Sequence, residues 1–94
     1  MDFNKYQYYG MQQQAQTENE NKKKSDAMKV RIEEFAKINT IEEAKNLAKQ
    51  ILPVANDINR FSVGNAKVII INTSDIFRIS FDSPDEFISY DFAE

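Results

Sequence analysis

The side chains best suited to chemistry gather near the C-terminus: Asp82, Asp85, Glu86 and Asp91, with Ser83 and Ser89 among them. Two carboxylates can divide general-acid and general-base work when a cleft holds them at a set separation. Here they fall in a proline-marked turn and on one side of a short alternating run, a pattern that fits a turn and a polar strand face. A nucleophilic hydroxyl needs a base, and the chain contains neither His nor Cys. That removes the commonest general base, the commonest zinc ligand and any thiolate. A Ser–Lys pair finds no supporting spacing. Asp82-Ser83-Pro84-Asp85-Glu86 lacks the alternating oxygens and central glycine of a calcium loop, and two glycines, Gly10 and Gly64, cannot build a phosphate cradle. The chain therefore reads as a non-enzyme with no catalytic, cofactor or metal residues.

What remains is binding, so the question becomes which surfaces the elements present. The organising stretch is Ala66 to Asp82, two β-branched, aromatic-rich runs joined by Asn72-Thr73-Ser74-Asp75. Within it, Val68-Ile69-Ile70-Ile71 suits a strand covered on both faces or nearly so. Upstream, Phe61 and Val63 alternate with Arg60 and Ser62. Gly64-Asn65 then reads as a two-residue type II′ hairpin turn. That turn sets Val63 opposite Ala66, Phe61 opposite Val68 and Arg60 opposite Ile69. A loop of four at Asn72 to Asp75 sets Ile70 opposite Phe77 and Ile69 opposite Arg78.

Opposed residues share a sheet face. One face carries Phe61, Val63, Val68, Ile70, Phe77, Ile79 and Phe81, and is the expected core. The other carries three expected rows: Ile58-Ile71-Ile76, Arg60-Ile69-Arg78 and Ser62-Lys67-Ser80. It is too apolar for plain solvent exposure and too basic for a closed core. Its cover is expected to be the N-terminal arm, a C-terminal helix or a partner.

Two helices are expected ahead of the sheet. Ser25 reads as an N-cap for a helix over about 26–37, with Met28, Ile32, Phe35 and Ala36 on its inner stripe. Lys29, Glu33 and Lys37 fall at i,i+4 spacing for ion pairing. Thr40-Ile41-Glu42-Glu43 is a capping box for a second helix to about Leu52, stopped by Pro53. Its stripe is Ile41, Ala44, Leu47, Ala48 and Ile51. Ser83 to Glu94 fits either a helix start with proline first or a turn followed by a strand, and low helix propensity tips it toward the strand. The fold class is α+β: two N-terminal helices packed on a three- to four-stranded antiparallel β-meander. Residues 25–94 form one domain, preceded by a flexible or partly helical N-terminal arm over residues 1–24. Phe3, Tyr6, Tyr8 and Tyr9 cluster in that arm and can dock on the domain or hook a partner, and Lys22-Lys23-Lys24 reads as a solvated run.

Ninety-four residues allow one domain. The chain has a net charge of −3, divided as +1 over residues 1–56 and −4 over residues 57–94, which hold three basic and seven acidic side chains. This argues against a duplex-DNA binder. The N-terminus has no basic-then-apolar secretory pattern, and no apolar run approaches the roughly 20 residues of a membrane helix. The expected setting is therefore cytoplasmic, or the host cytoplasm for a viral source. In composition the chain resembles small accessory proteins of AT-rich bacteria and their phages, several of which bind and block a host protein. The resulting expectation is a protein-binding module, an inhibitor or adaptor, acting through Arg60, Lys67, Ile69, Ile71 and Arg78 and the aromatic arm. Single-stranded nucleic-acid or phosphate-ligand binding through the basic face is the alternative, and a homo-oligomeric structural subunit is the third reading.

Overall fold

The structure is a computed structural model and describes residues 19–94. Residues 19–33 form helix α1, which tightens into a 3-10 turn at Glu34–Lys37. Helix α2 follows at Ile41–Ile51. Four strands complete the chain: β1 Asp57–Val63, β2 Ala66–Asn72, β3 Ile76–Asp82 and β4 Phe87–Ala93. They form one antiparallel meander in the order β1-β2-β3-β4. Among the described residues no helix is long and apolar enough to cross a membrane.

Helix α1 begins earlier than its sequence signals suggest, so the assignment of Ser25 as an N-cap is corrected. Residues 19–24 are already helical, and Ser25 is an inner-face residue, 3 % exposed. Its hydroxyl donates to the Lys22 carbonyl at 2.9 Å, which satisfies the buried oxygen. A small side chain is needed there because α1 crosses the β1–β2 turn at this point. Gly64 sits so close beneath it that a β-carbon would run into the Asn21 carbonyl. Ser25, Met28, Ile32 and Phe35 make the inner stripe, while Ala36, expected on it, is exposed. The 3-10 turn has three residues per turn, not 3.6, and rotates Ala36 away. Lys29 bridges to Glu86 at 2.5 Å instead of pairing along its own helix, which ties α1 to the β3–β4 turn.

Helix α2 starts as its capping residue directs: the Thr40 hydroxyl accepts the Glu43 N–H at 3.2 Å. Ala44 and Ala48 are wholly buried, and these small side chains let the helix lie close on the sheet.

The first hairpin has the expected register, with Val63 opposite Ala66 and Arg60 opposite Ile69. Gly64 takes φ +61° and Asn65 no positive value, the II′ arrangement. The second hairpin is displaced by two residues. Asn72 stays in β2 and pairs with Phe77, so Ile70 faces Ile79, Ile69 faces Ser80 and Ile71 faces Arg78. The cause is Thr73. Its hydroxyl accepts the Ile76 N–H and donates to the Ile76 carbonyl, both at 3.1 Å, closing the loop one residue later than the polar run implied. A shift of two keeps every side chain on its expected face. Ser83 closes the β3–β4 turn on Glu86 in the same way. The C-terminal segment is thus a strand.

The core lies between the helices and one sheet face. Ile32, Phe35, Val68, Ile70, Phe77, Ile79 and Phe81 are its large members. Phe35 stands at its centre, with ring centroids 6.2 Å from Phe77, 6.4 Å from Tyr90 and 6.2 Å from Phe92. On the core face Asn59 shares a row with Ile70, Ile79 and Tyr90, and Asn72 shares one with Phe77 and Phe92. Both amides donate to the Ala55 carbonyl, and Asn59 also accepts the Ala55 N–H, which pins the loop before β1.

Candidate functional site: the outer sheet face

Both helices pack on the core face, so the opposite face of the sheet carries no covering element among the described residues. Alternation along each strand decides what it shows. Across the four strands one row reads Ile58, Ile71, Arg78, Asp91. The next reads Arg60, Ile69, Ser80, Ser89, and the third Ser62, Lys67, Asp82, Phe87. Ile76 stands beyond the first row, opposite Ala93. These replace the expected rows. The displaced second hairpin puts Ile69 between Arg60 and Ser80, and moves Arg78 and Ile76 one row each.

Arg60, Lys67, Ile69, Ile71 and Arg78, the candidate residues read from the described part of the chain, do share this face. Phe3, Tyr6, Tyr8 and Tyr9 lie outside the described residues. Ile58 is 56 % exposed, Ile76 47 % and Phe87 66 %, whereas Ile69 and Ile71 are half-buried among their neighbours. Phe87, Asp82 and Asp91 were not assigned to this face from the sequence. The signal was the alternation of Ile88, Tyr90 and Phe92: once these face the core, Phe87 and Asp91 must face outward.

The acidic residues change the electrostatics. Arg78 reaches Asp91 with Nε to Oδ1 at 2.6 Å and Nη2 to Oδ2 at 3.4 Å. That hydrogen bond, followed by the attraction of the carboxylate, raises the guanidinium pKa above its ordinary value. Lys67 stands directly opposite Asp82. Arg60 has only Ile69, Ser80 and Ser89 in its row. The face is apolar with mixed charge rather than broadly basic. Ser80, 8 % exposed, lies 3.2 Å hydroxyl to hydroxyl from Ser89, so the middle of the row is tightly packed.

The carboxylates considered for chemistry are dispersed. Asp91 binds Arg78, Glu86 binds Lys29, and the described residues contain no cluster of acidic side chains able to hold a metal ion. A cleft between α1, the end of α2 and β1 is lined by Met28, Ile51 and Val63 under Lys24 and Arg31, with no carboxylate at its wall.

No protein-family model, curated protein or solved structure matches the chain.

Proposed function

We propose that the chain is a non-enzymatic protein-binding module that contacts its partner through the outer face of the sheet. The observation that carries this is the adjoining set Ile58, Ile69, Ile71 and Ile76, with Phe87 apart from it at the opposite corner, on a face with no described cover. Soluble monomers seldom leave so much adjoining apolar surface in water without a use for it. Arg60, Lys67 and the Arg78–Asp91 pair lie among and beside these residues, so the face combines apolar contact with charged groups, as protein interfaces do. An inhibitor or adaptor needs nothing further: a rigid sheet presents the face with little ordering cost on binding.

Single-stranded nucleic-acid binding has less support. Of the three cations on the face, Arg78 is engaged by Asp91 and Lys67 stands opposite Asp82, leaving Arg60 to meet phosphate.

The test is capture from host lysate by the full chain, by the double variant Ile58→Lys/Ile76→Lys, and by Val30→Lys as a control. Val30 is 63 % exposed on α1, away from the sheet face. All three side chains are already in water, so the substitutions leave the core untouched. A protein retained by the wild type and by Val30→Lys, and lost by the double variant, supports the reading. Equal retention by the double variant, or no retained protein, refutes it.

A further inference from the structure

We infer that the free edge of β4 is an assembly edge, which pairs antiparallel with β4 of a second copy of this chain about a two-fold axis at Tyr90. The hydrogen-bond parity of the strand is readable from its ends. The Ser83 N–H donates to the Glu86 carbonyl and the Glu94 N–H to the Asp75 carbonyl. Alternate pairs in an antiparallel ladder are hydrogen-bonded. The backbone groups of Ile88, Tyr90 and Phe92 therefore face β3, and those of Phe87, Ser89, Asp91 and Ala93 face outward. Among the described residues, no backbone hydrogen bond from a turn, loop or cap reaches that outward edge.

The two edges of the sheet are treated differently. At β1, Asp57 takes φ +70°, Asn59 is bonded back to the loop before it, Arg60 stands mid-strand, and α1 lies across the turn at Gly64. Kinks, charges and covering helices are the means by which proteins block edge pairing. Among the described residues β4 has neither a kink nor a covering helix, and its one charge, Asp91, is engaged by Arg78 on the neighbouring strand. It runs seven residues without Lys, Arg, Pro or Gly, and its pairing with β3 is unbroken from Ile76–Ala93 to Asp82–Phe87. One guarded edge and one open edge give a closed two-fold dimer, not a filament.

The side chains select the register. Outward-facing groups must meet outward-facing groups, which leaves axes at Ser89, Tyr90 or Asp91 as the central choices. An axis at Asp91 sets two carboxylates against each other, and one at Ser89 sets Asp91 against Phe87. The axis at Tyr90 places Phe87 opposite the second copy's Ala93, Ile88 opposite its Phe92 and Ser89 opposite its Asp91. Like then meets like on both faces, with the charge set against a hydroxyl. The product is a continuous eight-stranded sheet whose outer faces join. This inference does not depend on the outer face having a partner, and neither Ile58 nor Ile76 lies on β4.

The experiment is sedimentation of the full chain over a wide concentration range, with residue-resolved amide exchange at its two ends. Self-association to twice the chain mass is expected. The Phe87, Ser89, Asp91 and Ala93 amides should be protected only at high concentration, and the Ile88, Tyr90 and Phe92 amides at both. Ser89→Pro removes an outward donor and leaves the β3 ladder intact. Ser89→Asp, which keeps the backbone unchanged, sets a carboxylate against the second copy's Asp91. Each should weaken association by about tenfold to a hundredfold, because two-fold symmetry makes every loss count twice. A strict monomer, protection of the outward amides at every concentration, or a dimer indifferent to both variants would each overturn the inference.

Discussion

Replacing Ile70 by Ala should cost far more stability than replacing its neighbour Ile69, and the contrast tests the whole assignment of faces. Ile70 is wholly buried, between Asn59 and Ile79 on the flanking strands and beneath the helices. Truncation removes three buried carbons at about 0.8 kcal/mol each. It also leaves a cavity that the close-packed surround fills only in part, for a total of about 3–4 kcal/mol. Ile69 is half-buried on the open face, so its truncation forfeits about 1 kcal/mol of transfer energy and encloses no cavity. Small domains have total stabilities of about 5–15 kcal/mol. In urea, with a slope of about 1–3 kcal/mol per molar, Ile70→Ala should lower the midpoint by at least about 1 M, or unfold the chain outright. Ile69→Ala should move it by less than half as much. Equal large losses would mean that both faces are buried within one chain, and the binding reading would go with them. A reversed order would mean that β2 presents the opposite parity to the helices.

Gly64→Ala should destabilise by more than about 2 kcal/mol. The positive φ alone costs about 1–2 kcal/mol for an L side chain, and the new carbon meets the Asn21 backbone, which cannot swing aside. A thermal scan should then show the midpoint falling by at least about 8 °C; a drop of less than a few degrees would contradict the crossing of α1 over this turn. The Lys29 pKa is raised, first by its hydrogen bond to Glu86. A raised folded pKa means that the ion pair's contribution is complete below the ordinary lysine pKa and is lost as pH climbs through the folded value. Denaturation of wild type and Lys29→Met should therefore differ by a constant amount through neutral pH and converge only in the alkaline range. A difference that changes across neutral pH would assign the effect to another group.

Local chemistry made much of this molecule legible in its sequence. Thr40 declares the start of α2 because a cap acts on N–H groups three residues away. Gly64-Asn65 specifies the first hairpin and its register because a two-residue turn leaves the strands no other pairing. Strand alternation then assigns Ile70 to the core and Ile69 outward, an outcome that survives the displaced second hairpin because the displacement is even. The loop at Thr73 was less legible, since a run of four polar residues does not say which hydroxyl will close the turn. Ser25 was misread for a different reason. Its burial depends on α1 crossing Gly64, thirty-nine residues away in sequence, and a lone hydroxyl on a helix reads as a cap until that contact exists. Nor could composition decide that Asp91 would engage Arg78, or that both helices would settle on one face and leave Ile58 and Ile76 of the other in water. Those outcomes depend on which elements meet in space: packing two helices on a sheet buries one face of its alternating side chains, and no local signal in a strand names the face.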